Sequence, residues 1–327
     1  MSPIYGEPYI VTAVVYTNLR VNFNRLFSKL PVAEDFEPRV SSKREEPAEI
    51  EPGTITFINS SMGSRGNFAR KRGKPFDNTL TIEMYLDSDY EKKKDKIINI
   101  KLPSTGNLHM TGCRNVKDAI FATKSLFYKI WEIHSKENRM CYLTNRIRET
   151  TVRGKKKPFE MKVSIDKFFI LPIVHMQNVS FNIGTKISPK EFAEYIDTYE
   201  EMSGFRHMFE PGTTSAGMKV VTRFKCPDVL TTKYHCYDLR TKQWSIDTVV
   251  LADIEPELAK GINEKLIKKD HTIMVFQKGQ AIHSATGDDE MNRVYAEFMK
   301  LIERFSTWRR KKRIIFIGKE DADCLIL

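Results

Sequence analysis

The sequence predicts an α+β protein made of two pseudo-symmetric repeats, each a run of antiparallel strands with helices on one sheet face. Three observations predict it. A strand–turn–strand–helix pattern occurs twice, at 98–137 and at 272–305. Its turn glycines, Gly106 and Gly279, lie 173 residues apart, a period too long for a solenoid unit. Further alternating apolar segments precede each copy, so strands come in runs rather than one to each helix.

Taken in order, residues 8–16 alternate as a strand, and a short helix is expected near 22–30. Residues 31–54 are rich in Pro, Glu and Ser and show no apolar period, so they read as an inserted loop. The basic, Gly-containing stretch 62–75 reads as a loop, either solvated or touching phosphates. Strands are expected at 79–86 and 97–102, and Gly106 turns the chain into another over 107–113. Over 116–137, Ala119, Ala122, Leu126, Ile130 and Ile133 recur at helical spacing, with Phe127 and Trp131 alongside. That stripe is the pattern of a helix packed on a core. Residues 138–168 form a basic connector containing Arg153-Gly154-Lys155-Lys156-Lys157-Pro158.

The second half opens with a strand over 171–183. Ser188 is placed as an N-cap, with Pro189 at the first helical position and Glu191 three after the cap. A turn at Phe209–Gly212 leads to a strand over 218–224. Residues 225–270 read as an insertion with its own strands and a helix. The expected organisation is a first repeat over 1–137, with an insertion at about 31–75, and a connector over 138–168. A second repeat over 169–308 follows, with an insertion at about 225–270, then a basic tail over 309–327.

A chain of 327 residues has room for about two ordinary domains. Its formal charge of +11 favours a polyanionic partner, nucleic acid foremost, against the plainer reading of a solvated basic surface. Five cysteines without a CxxC pair point to a reducing compartment rather than a disulfide framework. Cys226, His235 and Cys236 come nearest to a metal cluster and fall short of four ligands at paired spacing. There is no Walker-type loop, HExxH, GxSxG or telling carboxylate pair, and His134, His175 and His271 are scattered. Neither an enzyme nor a bound cofactor or metal is therefore expected.

No apolar run reaches the roughly 20 residues of a membrane span. The first residues lack the charged region of a signal peptide. Cys324-Leu325-Ile326-Leu327 matches a prenylation pattern and follows the basic run Arg309–Arg313. The plainer reading is an apolar tail after an extended basic helix, and no membrane partner is expected.

Several short motifs occur in the same order in both halves. Ser104-Thr105-Gly106-Asn107, then Met110-Thr111-Gly112-Cys113, leads into the first long helix. Phe276-Gln277-Lys278-Gly279-Gln280, then His283-Ser284-Ala285, leads into the second. Gln177-Asn178-Val179 opens the second half, and Phe209-Glu210-Pro211-Gly212 follows its shorter helix. This arrangement resembles the TATA-box-binding protein family, in the diverged form found in nucleocytoplasmic large DNA viruses.

The resemblance implies a saddle: a curved antiparallel sheet with helices on the convex face. Its concave face would lie in a DNA minor groove and kink the duplex with wedging side chains. The resemblance places Asn178, Ile282 and Ser284 among the groove contacts, with Phe276 and Phe209 as a wedge pair. In the first half it places Thr111 and His109 on the same face and Leu102 at the wedge, with Phe76 as a further ring. The family's Asn position there falls on Ile10 or Thr12. Strand alternation independently puts Ile282 with Ser284, and His109 with Thr111, on shared faces. Asn178 suits the acceptors that A·T steps present in the minor groove. The plainer readings make Asn178 a strand-end residue bonding its own loop and Phe276 a core residue. Lys124, Lys129, Lys300 and Arg304, on the long helices, read as solvated rather than as phosphate contacts.

The expected function is that of a transcription initiation factor that binds and bends promoter DNA. Its implied partners are A·T-rich double-stranded DNA, a factor-B-like general transcription factor and RNA polymerase. The resemblance places it in the host nucleus or a cytoplasmic viral factory, with packaging in the virion as a further option. The alternative is the same fold kept as a protein-interaction scaffold. Exposure of Phe209 and Phe276 on the sheet face would separate the two.

Overall fold

The computed structural model describes residues 10–33, 50–66, 78–89, 94–137, 140–148, 160–208, 217–222, 231–250, 270–285 and 288–323. The chain begins with β1 (Ile10–Thr17), β2 (Leu19–Val21) and α1 (Phe23–Lys29). Next come β3 (Ile55–Ser60), β4 (Gly63–Gly66), β5 (Thr79–Asp89), β6 (Lys94–Pro103), β7 (Leu108–Cys113) and α2 (Val116–Glu137). Three short strands, β8 (Cys141–Leu143), β9 (Arg146–Arg148) and β10 (Glu160–Lys162), lead to the long β11 (Lys167–Asn182). Then follow α3 (Pro189–Ser203), β12 (Phe205–Met208), β13 (Gly217–Thr222), β14 (Thr231–Asp238) and β15 (Gln243–Val250). The last elements are β16 (His271–Phe276), β17 (Gln280–Ala285) and α4 (Asp288–Asp323). Mostly antiparallel sheet with four helices among the described residues, the chain is α+β, as expected.

The chain divides into two units. The first comprises Ile10–Met176 with Pro227–Leu266; the second comprises Gln177–Cys226 with Ile267–Leu327 and Met1–Tyr9. In the first unit the strand order is β1-β7-β6-β5-β3-β4, and in the second β11-β17-β16-β13-β12. Each path sets its first strand beside its last and then runs back through the chain, except that β4 hairpins outward from β3 at the end of the first. The neighbouring pairs are antiparallel.

Local chemistry explains the helix starts. Asn22 and Ser188 accept from the backbone N–H groups of Arg25 and Glu191, satisfying donors in the first turns of α1 and α3. Asn115 does the same for Lys117 and Asp118 at the start of α2. Along α2 the predicted stripe is realised: Ala119, Ala122, Leu126, Phe127 and Ile130 are buried in the first core. That core is closed from the sheet side by Ile58, Ile82, Ile100 and Met110. In the second unit Phe192 and Ile196 of α3, with Val294, Phe298 and Phe305 of α4, pack on Phe181, Ile273, Val275 and Ala281. At about 25 cal/mol per Å² of buried apolar surface, these clusters are the main stabilising term in each unit.

Four features depart from the expectation. Residues 55–60 and 63–66, expected within the insertion at about 31–75, form β3 and β4 and extend the first unit's sheet beyond β5. The hairpin β14–β15, expected within the second repeat, belongs to the first unit: His235–Asp238 pair with Lys167–Ile170 of β11. Its Tyr237 and Trp244 join an aromatic cluster in which Phe127 stacks on Phe168 at 3.9 Å. Trp244 Nε1 donates to the Tyr128 hydroxyl at 2.5 Å, which ties the hairpin to α2. The connector is organised rather than plain: β8 pairs with β2, and β10 with β9. It is held by the fully buried Asn18, which donates to the carbonyls of Thr144 and Lys167 and accepts from Phe169 N–H. Finally, α4 continues through the basic run to Asp323 instead of giving way to a tail near 309. The helix expected inside the 225–270 insertion and Cys324–Leu327 lie outside the described residues. No helix among the described residues is long and apolar enough to cross a membrane.

Candidate nucleic-acid interface

Strand alternation gives the second unit's sheet two chemically distinct faces. One is buried against α3 and α4. The other carries Asn178, Thr272, Met274, Phe276, Ile282, Ser284 and Met208, all half-buried or exposed. Pairing sets these side chains in rows. Asn178 is opposite Ser284, and Ser284 is opposite Thr272. Next to that polar row, Ile282 is opposite Met274, and Met274 opposite Lys219. Lys219 in turn is opposite Met208, which is 61% exposed. This second row thus joins apolar side chains with one lysine on the face away from the helices.

The Ser284 hydroxyl donates to Asn178 Oδ1 at 2.6 Å. Asn178 therefore bonds across the sheet and not to its own loop. Its carboxamide oxygen is occupied, and the NH₂ group, two donors, has no protein partner among the described residues. Phe276 is half-buried rather than in the core. A Cβ placed on Gly217, directly opposite, would meet the Phe276 ring at 3.3 Å, so the ring lies over the glycine.

The two Gly turns are built alike. Gly106 N–H donates to Pro103 O at 3.0 Å, and Gly279 N–H to Phe276 O at 2.9 Å. Each glycine has positive φ, +77° and +87°. A Cβ would fall 1.8 Å from Leu19 O at Gly106 and 2.3 Å from Thr185 O at Gly279, so neither site admits a side chain. Val21 N–H donates to Ser104 O, and Ile187 N–H to Gln277 O, each just before a helix cap. This geometry pairs Pro103 with Phe276 and Leu102 with Val275. It corrects the assignment of Leu102 as a wedge. Leu102 is fully buried in the first core, and a shift of one residue moves a side chain to the other face. Pro103, half-buried, holds the turn position.

The first unit's corresponding face is different. His109 and Thr111 are exposed on it, opposite Lys101 and Asn99 of β6. Glu83 lies opposite Asn99, and Phe57 opposite Glu83. Phe57 and Glu83 are buried, and so are Val14, Tyr16 and Tyr85 at alternate positions on this face. A carboxylate among covered rings gives this face a chemistry unlike the Asn–Ser–Thr row of the second unit. Thr12 is half-buried, while Phe76 and Phe209 lie outside the described residues.

Sequence reading missed Thr272, Met274, Met208 and Lys219, which complete the second unit's face. The available signal was the alternation of 271–276, whose odd positions are buried and even positions are not. It also missed a buried histidine pair beneath that face. His271 Nδ1 and His283 Nε2 are 3.0 Å apart, one donating to the other. Burial holds both well below the ordinary histidine range, with the charge of Arg293 adding to the effect on His271. The pair is therefore neutral near pH 7. Burial also pushes the thiols of Cys113 and Cys141 up to about 12, leaving them protonated and unreactive. Among the described residues no three His, Cys, Asp or Glu side chains cluster as a metal site would require.

No protein-family model matches this chain, and no curated protein matches it. Among solved structures it is similar to the Methanococcus jannaschii TBP. The identity is 10% and the TM-score 0.38, over 91% of this chain and 99% of that one.

Proposed function

We propose that this protein is a DNA-binding transcription initiation factor that reads the minor groove through the sheet face of its second unit. On this reading it bends promoter DNA, recruits a factor-B-like partner and RNA polymerase, and catalyses no reaction. The observation that carries the reading is the row Asn178–Ser284–Thr272, with the Asn178 NH₂ group turned to donate. The minor groove of an A·T step presents acceptors, adenine N3 and thymine O2, and apolar sugar edges. Met274, Ile282 and Phe276 lie on the same face to meet those edges. The like-built turns and helix caps of the two units support their origin as pseudo-symmetric repeats of a saddle.

The two repeats divide the work unequally on this reading. The second carries the readout. The first, with Glu83 on its face and Pro103 in place of a ring, contributes surface and orientation rather than a wedge.

The test is a gel-shift and bending assay on A·T-rich and G·C-rich duplexes at moderate salt. The expected result is a bent complex that prefers A·T. Replacing Phe276 by Ala is expected to reduce the bend angle while leaving the encounter rate within about threefold, since steering is set by charge. Binding indifferent to sequence, or unchanged bending by the Phe276→Ala variant, would refute the reading in favour of a protein scaffold.

A further inference from the structure

On the helical side of the second unit, α3 and α4 enclose a groove of about 370 Å³. Its walls are aromatic. The Tyr195 and Tyr199 rings are 4.9 Å apart, and Tyr195 and Trp308 are 5.5 Å apart. Tyr195 is buried as the floor, whereas Tyr199 is 37% exposed at the rim. The regular path of α3 breaks at Tyr199, with φ −127° and ψ 20°. That break bends the helix beside the groove.

The charges around the groove are sorted. Three carboxylates of α3 are matched by neighbours: Glu191 pairs with Arg309 at 2.8 Å, Glu194 with Lys312 at 3.1 Å, and Asp197 with His207 at 2.8 Å. The cations that line the groove, Arg304 and Lys311, have no carboxylate partner among the described residues. Glu303 is the lone acid among its lining residues. The groove thus offers an apolar aromatic floor with a net positive rim. Arg304 also acts on Tyr195: burial raises the hydroxyl pKa, and the Arg304 charge opposes that rise.

This chemistry discriminates between ligands. Aromatic walls can cage a quaternary ammonium ion, but such a cage needs a free ring face and no competing cation. Here Lys312 Nζ already lies 4.8 Å from the Trp308 ring centre, and Arg304 and Lys311 repel a further positive charge. An anion alone would leave the aromatic floor unused. A ligand with both carboxylates and an apolar anchor uses the whole groove. Tyr, Trp and Arg are also the residue types that dominate binding hot spots between proteins.

We propose that the α3–α4 groove docks an acidic segment of a partner protein. An aromatic or aliphatic side chain of that segment inserts between Tyr199 and Trp308, and its flanking carboxylates pair with Arg304 and Lys311. This inference is independent of DNA reading by the sheet face.

The test uses the full chain and a fluorescein-labelled peptide of about a dozen residues, rich in Asp and Glu, with a central Phe–Leu pair, followed by fluorescence anisotropy. Two control peptides replace the Phe–Leu pair by Ser, or the carboxylates by amides. Saturable binding of the parent peptide is expected, with a loss of about tenfold or more for each control. Tyr199→Ala, and the double change Arg304→Glu with Lys311→Glu, should each weaken it by a similar factor. Both alter surface positions, and circular dichroism checks the fold. If the double variant does not fold, Lys311→Glu alone carries the charge test. Absence of saturable binding below about 1 mM overturns the proposal. So does equal binding of the Ser control, which would reduce the effect to charge attraction. A duplex oligonucleotide that loses affinity through Arg304→Glu and Lys311→Glu, while peptide binding stays unchanged, would make the groove a phosphate surface and overturn it as well.

Discussion

Asn178 illustrates how one hydrogen bond sets a side chain's role. Because Ser284 donates to its oxygen, the amide orientation is set, and the NH₂ group has no protein partner among the described residues. Asn178→Asp keeps the acceptor for Ser284 but removes both donors. Affinity for an A·T-rich duplex is expected to fall about tenfold to a hundredfold, the 1–3 kcal/mol of a base-edge contact, while the thermal midpoint changes little. Glycines make a second residue-scale case. Gly279 and Gly184 both have positive φ, but only Gly279 faces a carbonyl within van der Waals distance. Gly279→Ala is expected to cost about 2–4 kcal/mol in urea unfolding, against about 1 kcal/mol for Gly184→Ala. Equal losses at the two sites would mean that backbone conformation, not crowding, makes glycine necessary. The glycines were legible in sequence as turn signals. The crowding was not, because the oxygens that forbid a side chain come from distant stretches of the chain.

At the scale of elements, the buried His271–His283 pair joins β16 to β17 on the core side of the sheet. In the unfolded chain both histidines titrate near 6.5. In the native state burial keeps them neutral to lower pH, His271 to about 4. The unfolded state therefore takes up protons that the native state refuses. Stability is full above about pH 6.5 and is lost as pH falls toward about 4. Urea unfolding at pH 7.5, 6 and 5 is expected to show that decline, and His283→Gln to flatten it. Helix α2 was legible almost to the residue, because its apolar stripe is a local signal. The hairpin β14–β15 was legible as an insertion but not in its place. Alternation marks a strand without naming its partner, and here the aromatic cluster around Phe127 and Phe168 decides it.

For the whole molecule, the charge of +11 bears on association rather than on fold. If the proposed function holds, affinity for duplex DNA should fall by more than about tenfold between roughly 50 and 200 mM salt, through release of counterions. Titrations at four salt concentrations check this, and a flat response would mean that phosphates contribute little. The acidic-peptide groove predicts a second salt-sensitive interaction, separable because its variants lie on α3 and α4 and not on the sheet.

What the sequence determined alone was the class of fold, the long helix α2 and the duplicated strand–turn–strand–helix pattern. All of these rest on periodicity, turn glycines and caps, which act over a few residues. Only the tertiary structure decided that Leu102 is core and Pro103 the turn residue, since a strand's face depends on register with a distant neighbour. It alone showed that Asn18 locks the connector to β11, across 149 residues of chain to Lys167. It alone separated the two sheet faces, one with a donor row framed by methionines and one with a buried glutamate. The same alternating pattern writes both, and what covers each face is settled by long-range packing.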